Sequence, residues 1–230
     1  MKIPMSNRLL TVSSFVHKGD RVADIGCDHG YLGIYLLTNG IAAHMIESDV
    51  AEGPLDSARR NAHKFHTGNA TTFCLSDGAR DIPRDFDVLV CAGMGADTIM
   101  SILGAAPWLK DGYRLILQCQ SKRPELRRWL NAEGWRITRE TLAQDGKFIY
   151  TVMELVFEPG QVLSPAQMHI TPQLLEDASP LLPAFYDRVR HGVRMTVEGM
   201  RRSESAQLPE YEAILADLDA LEETIHGNRE

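Results

Sequence analysis

Between residues 20 and 157, short apolar runs alternate with longer amphipathic ones, and this alternation limits the possible folds more than any other feature of the chain. "RVADIG", "AAHMIESD", "ATTFCLSDG", "FDVLVCAGMG" and "YRLILQCQ" read as buried strands. Between them, "YLGIYLLTNG" reads as a helix closed by a glycine, and "EGPLDSARRNAHKFH" as one with Pro54 near its first turn and Leu55, Ala58 and Ala62 on one side. "DTIMSILGAAPWL" and "RPELRRWLNAEG" complete the helices. Parallel strands joined by such crossovers place helices on both faces of one sheet. "WRITRETLAQDG" and "KFIYTVMELVF" then read as two strands joined at Asp145-Gly146, antiparallel hairpin chemistry on the sheet edge. The fold class expected is a doubly wound, three-layer α/β domain with an antiparallel edge hairpin.

After this domain (residues 1–158) the pattern breaks. "EPGQVLSPAQMHITP" carries three prolines and reads as a linker. Val189, Val193, Val197 and Met200, then Leu208, Tyr211, Leu215, Leu218, Leu221 and Ile225, recur at three or four residues, the spacing of helix stripes. Residues 159–230 are therefore expected to hold the linker and a coiled-coil-like helical hairpin turning around "RRSESAQLP". Its stripes serve either to hold the hairpin to itself or also to face a substrate.

The net charge of −7 lies wholly in residues 203–230, where eight acids face Arg229 alone. The remainder is neutral and contains two arginine-rich groups. One comprises Lys122, Arg123, Arg127, Arg128, Arg136 and Arg139, the other Arg188, Arg190, Arg194, Arg201 and Arg202. A wholly basic nucleic-acid binder is excluded, but local contact with a polyanion is not. "MKIPMSNRLL" is too short and polar for a leader, and no apolar run is long enough for a bilayer, so the expected location is the cytoplasm. Cys27, Cys74, Cys91 and Cys119 form no CxxC pair and no zinc spacing. They are expected as buried reduced thiols, with Cys27 and Cys91 also placed to line a pocket, and no metal is expected.

The first strand runs into "VADIGCDHGYLGIYL", residues 22–36. In open α/β sheets a ligand sits beyond the carboxyl ends of the strands, where their order reverses. The loop there reads D-x-G-x-D-x-G through Asp24, Gly26, Asp28 and Gly30, which differs from the dinucleotide fingerprint G-x-G-x-x-G. Two carboxylates would repel a diphosphate and disfavour a nicotinamide oxidoreductase. They suit S-adenosylmethionine, which carries a sulfonium and an ammonium group and no phosphate. Asp49, ending the second strand, can accept both ribose hydroxyls, with Glu47 as its competitor. Asp77-Gly78, ending the third, can take the adenine amine. The fourth strand ends in Ala92-Gly93-Met94-Gly95, where amino-methyltransferases of this fold often carry an Asn/Asp-Pro-Pro-aromatic tetrad. The glycines Gly93 and Gly95 instead let backbone approach a flat ligand. Together these features specify a methyltransferase.

"SNRLLTVSSFVHKGDRVADIGCDHGYLGIYL", "DGARDIP", "FDVLVCAGMGADTIMSIL", "LILQCQ" and "DGKFIYTVMEL" resemble, in order from residue 5 to about 157, the bacterial tRNA (adenine(22)-N1)-methyltransferases, which are class I methyltransferases with a Rossmann-like sheet. The chain departs from the family pattern at Ala96 and Cys119. The resemblance implies methyl transfer from S-adenosylmethionine to N1 of an adenine in the D-arm region of tRNA, and a C-terminal helical hairpin. Because N1 lies on the pairing edge, the adenine must be unpaired or flipped out.

On that reading Asp28 and His29 are candidates to stabilise the ring as it becomes cationic and to help it lose an N6 proton. Asp28 is equally placed for the methionine amino group, and His29 for a backbone hydrogen bond at the helix start. Tyr31 stacks on the base or packs its helix. Gln118 is expected to read the adenine edge. A first helix covers the cofactor mouth with Asn7 and Arg8 exposed. Arg8, Lys122, Arg123 and Arg127 are expected on tRNA, the basic clusters gripping its phosphates. No membrane partner is expected, and the chain is expected as a monomer or weak homodimer. The alternatives are a methyltransferase for another RNA, a protein or a small-molecule amine, and a non-catalytic module binding S-adenosylmethionine or tRNA.

Overall fold

A computed structural model describes residues 2–227. The elements in chain order are α1 (Asn7–Ser13), β1 (Arg21–Ile25), α2 (Tyr31–Thr38), β2 (His44–Asp49), α3 (Glu52–Lys64), β3 (Thr71–Leu75), β4 (Val88–Met94) and α4 (Ala96–Gly104). They continue with β5 (Arg114–Cys119), α5 (Arg123–Ala132), β6 (Trp135–Asp145), β7 (Phe148–Phe157), α6 (Pro172–Asp177), α7 (Leu182–Arg202), α8 (Leu208–Asp219) and α9 (Glu222–His226).

The sheet order is β3-β2-β1-β4-β5-β7-β6, a Rossmann-like arrangement with β1 to β5 parallel. Strand order reverses between β1 and β4, which opens a crevice at their carboxyl ends. The hairpin sits at the edge, and its second strand lies inside: β7 runs antiparallel to β5 and leaves β6 outermost. Ala23, Leu89, Leu115 and Leu117 meet Ile99, Leu103, Leu126 and Leu130 on one face of the sheet. Val22, Val88, Val90 and Ile116 meet Val12, Phe15, Leu32 and Leu36 on the other, which places α1 and α2 opposite α4 and α5. Ser6 caps α1 by accepting from the Leu9 N–H, and Arg139 lies 4.1 Å over the Phe15 ring, clamping the helix end to β6.

The stretch 158–171, expected as a linker, is packed onto the sheet domain. Leu163 and Met168 enter the main core, and the Arg127 guanidinium donates to the carbonyls of Met168 (2.8 Å) and His169 (3.3 Å). The tail is the expected hairpin, with Phe185, Tyr186 and Val193 of α7 sharing a core with Ile214 and Leu218 of α8. That core also contains Leu142 and Ile149 of the β6–β7 hairpin, so the tail grows from the sheet edge.

The acidic tail answers part of the second arginine group. Arg190 pairs with Asp219 (2.5 Å) and Glu222 (3.0 Å), and Arg201 with Glu212 (2.8 Å). Arg229 and Glu230 of that charge tally lie outside the described residues. Among the described residues no helix is long and apolar enough to cross a membrane.

Candidate functional site

The loop after β1 turns on residues with positive φ: Gly26 (72°), Asp28 (52°) and Gly30 (69°). Such angles are easy for glycine and tolerated by aspartate. The N–H groups of Gly26 and Cys27 donate to the Ser48 carbonyl at 2.7 and 3.0 Å. Asp49 completes the join. Its Oδ2 accepts from the Asp28 N–H (3.3 Å) and its Oδ1 from the Ala51 N–H (3.0 Å). One half-exposed carboxylate thus ties the tips of β1 and β2 and keeps lone pairs to spare.

The crevice has a volume of about 410 Å³. Its walls are Gly26, Asp49, Val50, Asp77, Gly78 and Met94, together with one face of α4: Asp97, Thr98, Ser101 and Ile102. Its carboxylates stand beside the apolar Val50, Met94 and Ile102, and no lysine or arginine lines it. A Cβ on Gly26 would come 2.3 Å from Met94 Cε, and one on Gly78 would come 2.9 Å from Ile102 Cγ1. The Met94 methyl can move aside, so the positive φ of 72° is what favours glycine at position 26, whereas at position 78 the branched Ile102 and a φ of 66° act together.

Behind the loop lies a buried acid pair. Asp24 and Glu47 are neighbours in the β1–β2 register, and both are buried. Burial pushes the Asp24 carboxyl up to about 7; Arg8 nearby opposes the rise and the Asp49 charge adds to it. Glu47 is raised well above the ordinary carboxylate range, by burial and then by the Asp24 charge. Glu47 Oε1 would lie 1.9 Å from a Cβ on Gly33, and its Oε2 has no hydrogen-bond partner. Covered by α2, Glu47 does not compete with Asp49 for a ligand in the crevice.

The loop after β4 is held from beneath. Gly93 has φ 87°, and its N–H donates to Gln118 Oε1 at 3.0 Å. The same oxygen accepts from Arg8 Nη1 at 2.6 Å, and Gln118 Nε2 donates to the Cys119 carbonyl at 3.2 Å. Gln118 is fully buried with both ends of its amide engaged, so it positions Arg8 and Gly93 and does not read an adenine edge. Arg8 is correspondingly half-buried, although exposure was expected. Ala92 packs against the core, and Gly95 caps α4 with Ser121 Oγ 3.0 Å from where its Cβ would be.

The other expected site residues divide. Asp28, His29 and Tyr31 gather on the rim of the β1 loop outside the crevice walls. The Asp28 carboxylate lies 3.7 Å from His29 Nε2, and the His29 and Tyr31 rings are 5.8 Å apart. The His29 carbonyl accepts from Asn61 Nδ2 at 2.9 Å, which holds the rim to α3. Gly30 is bare for packing, since its Cβ would meet Ala58 Cβ at 3.0 Å. Lys122 pairs with Asp97 at 2.7 Å, and Arg123 lies 5.0 Å over the Phe185 ring.

Arg127 is a correction. It is 1% exposed and paired with the fully buried Glu140, which also accepts from Thr171 Oγ1 at 2.6 Å, so it grips no phosphate. Its face of α5 turns inward, whereas Arg128, one residue on, is exposed. Arg136 pairs with Glu158 (2.6 Å) and Arg139 clamps α1, so the first arginine group is dispersed over several tasks.

The thiols are free, with Cys27, Cys91 and Cys119 buried and Cys74 half-buried. Neither Cys27 nor Cys91 lines the crevice. Sequence reasoning missed Asp97, Thr98 and Ser101. Their signal was a polar stripe at helical spacing directly after Gly95, opposite the apolar Ile99 and Leu103 that marked the helix.

The methyltransferase-domain family matches residues 5–153. The chain is 33% identical over 161 residues to the tRNA (adenine(22)-N(1))-methyltransferase of Bacillus subtilis, covering 69% of this chain and 67% of that one. The crystal structure of the B. subtilis m1A22 tRNA methyltransferase TrmK is similar with a TM-score of 0.77 at 26% identity, covering 98% of this chain and 99% of that one. That of Streptococcus pneumoniae Sp1610 in complex with S-adenosyl-L-methionine has the same TM-score of 0.77 and 26% identity, covering 97% and 100%.

Proposed function

The chain belongs to the methyltransferase-domain family and within it to the tRNA (adenine(22)-N1)-methyltransferases, and on that premise we infer that it transfers the methyl group of S-adenosyl-L-methionine to N1 of an adenine in tRNA. The observation that carries this reading is the crevice, whose walls hold three carboxylates among apolar residues: Asp77 pairs with Arg80 (2.8 Å) and Asp97 with Lys122 (2.7 Å), while Asp49 meets no cation among the described residues. A phosphorylated cofactor would meet the unpaired Asp49 carboxylate at the tip of β2. A ligand with a cationic sulfur, an ammonium group, a diol and a flat ring finds a complement for each.

We propose that Asp49 accepts the ribose hydroxyls and that Asp77, one oxygen of which accepts from Arg80 at 2.8 Å, accepts the adenine amine with the other. Gly26 is assigned to the methionine end, with the buried Asp24 charge lying behind the loop. S-adenosyl-L-methionine supplies an electrophilic methyl on a positively charged sulfur. The adenine N1 lone pair needs no base to attack it, so the protein's contribution is orientation. The bare Gly93 loop, fastened by Gln118 and Arg8, offers backbone at the place where a base would lie. As N1 is alkylated the ring becomes cationic, and Asp28 on the loop rim is the carboxylate we assign to stabilise it. His29, 3.7 Å from Asp28, is the neighbouring group able to take a proton from N6. Tyr31 is assigned to stack on the base.

We further read the protein as cytoplasmic, where a tRNA-modifying enzyme meets its substrate, and as a monomer or weak homodimer, because Val193, Val197, Ile214 and Leu218 of the tail are already buried within one chain. The test is an unmodified tRNA transcript incubated with labelled cofactor, digested, and mapped by nucleoside mass. The expected product is 1-methyladenosine at one D-arm position. Label in another nucleoside, or cofactor binding without transfer to any tRNA, overturns the reading.

A further inference from the structure

A second cleft, of about 230 Å³, lies between the tip of the β6–β7 hairpin and α7. Its walls include Gln120, Arg123, Phe148, Tyr150, Phe185 and Arg188. We propose that this cleft holds an unpaired nucleotide of the RNA strand flanking the target adenine, stacking its base on Phe148 and pairing its phosphate with Arg188 and Arg123. The proposal rests on the tRNA reading above and adds a second subsite to it.

Position is the first argument. Gln120 directly follows β5, and its N–H donates to the Met94 carbonyl at 2.8 Å. Its side-chain nitrogen lies 3.7 Å from where a Cβ on Gly93 would stand. One residue therefore borders both the Gly93 loop and the cleft, which opens at the same end of the sheet as the cofactor crevice. A strand presenting one base at Gly93 would run its neighbour past Gln120.

Charge is the second argument. The tail arginines Arg190, Arg194 and Arg201 each face a carboxylate within 4 Å. Arg123 and Arg188 face none among the described residues. Arg123 lies against the Phe185 ring, and Arg188 Nη1 donates only to the Lys147 carbonyl at 3.1 Å. Arg202 also meets no carboxylate among the described residues, but its Nε donates to the Glu198 carbonyl and it lies outside the cleft, so Arg123 and Arg188 are the pair of uncompensated guanidinium groups that meet in one place.

The third argument is aromatic. Phe148 is 54% exposed at a strand tip, where burial would ordinarily be favoured. Tyr150 lies 6.1 Å from it, and the Lys147 ammonium stands 5.3 Å over its ring. An exposed ring beside free arginines suits single-stranded nucleic acid, because every base offers a π-face and every linkage a negative charge. No carboxylate lines the cleft to repel it.

The experiment compares wild type with Phe148→Ala, Phe148→Trp and Arg188→Ala on a tRNA transcript and on the same tRNA with 2-aminopurine beside the target. Phe148→Ala is expected to raise KM for tRNA about tenfold, to change kcat little, and to abolish 2-aminopurine quenching. Phe148→Trp is expected to restore both. Arg188→Ala is expected to flatten the salt dependence of tRNA binding by about one phosphate contact. Affinity for S-adenosyl-L-methionine should match wild type in all three. Unchanged tRNA kinetics and quenching in Phe148→Ala, while wild type forms 1-methyladenosine, would overturn the subsite alone and leave the ring to a protein partner. Failure of wild type to form 1-methyladenosine would remove the tRNA reading and the subsite with it.

Discussion

Arg8 Nη1 donates to Gln118 Oε1 at 2.6 Å, joining two residues that stand 110 positions apart in the chain. Because that oxygen also accepts from the Gly93 N–H, α1 and the β4 loop share one buried anchor. The site is therefore assembled by the N-terminal helix as well as by the strand tips.

Gln118→Leu leaves the Arg8 guanidinium and the Gly93 N–H without their acceptor. A loss of about 1 kcal/mol in folding stability is expected, because both stranded donors are only half-buried and water can reach them in part. The check is urea denaturation alongside single-turnover methyl transfer, which should slow because the Gly93 loop loosens. Wild-type stability with impaired transfer alone would return Gln118 to contacting the base.

Arg127→Met leaves Glu140 buried without its charge partner. Breaking such a pair costs about 3–5 kcal/mol. Pairing Arg127→Met with Glu140→Gln should recover most of that loss. The salt slope of tRNA binding should stay at the wild-type value, since a buried guanidinium meets no phosphate. A flattened slope would mean that Arg127 reaches RNA after all.

Asp24 makes the ligand-free protein sensitive to pH. Its carboxyl moves from an ordinary value of 3.8 to about 7 on folding. Between those values the folded chain keeps a proton that the unfolded chain has released, so this share of stability is full at the acid end and is lost as pH rises toward 7. Glu47, also raised, acts in the same direction. The melting temperature of Asp24→Asn should therefore fall less steeply than that of wild type from about pH 5 to 8. A cationic ligand favours the ionised form, so cofactor binding near pH 6.5 should release protons. Calorimetry in two buffers of different ionisation enthalpy reads that release, and identical heats in both would refute it.

Asp49→Ala removes an acceptor for two loop N–H groups as well as a wall of the crevice. Cofactor affinity should fall roughly 10- to 100-fold, as expected for losing charge-assisted hydrogen bonds. Asp49→Asn, which retains one acceptor, should fall between. Titration calorimetry decides this, and unchanged affinity in Asp49→Ala would empty the proposed ribose site.

Much of this protein was legible along the chain. Apolar residues at period two and at helical period mark β1 to β5 and their helices, because burying one face of each element is a local demand on local residues. The tips of β1, β2 and β3 could be named for the same reason: a parallel sheet presents its carboxyl ends together, so Gly26, Asp49, Asp77 and Gly78 had to converge. Side chains that act across the sheet were not legible. Gln118 and Arg127 carry the same letters whether they face solvent or core, and their partners lie far away in the chain. Gly30 reads as a ligand glycine and serves helix packing. Asp97 and Ser101 read as the outer face of a helix and line the crevice.

The order of residues by itself determined the layered sheet, the acidic strand tips and the helical tail, since each follows from periodicity and turn chemistry within a few residues. Tertiary structure alone decided which charges are spent. Whether Arg190 meets Asp219, Arg127 meets Glu140, or Arg123 and Arg188 meet no carboxylate among the described residues depends on which elements pack together. Electrostatic pairing reaches only a few ångströms through space, and separation along the chain does not measure that distance.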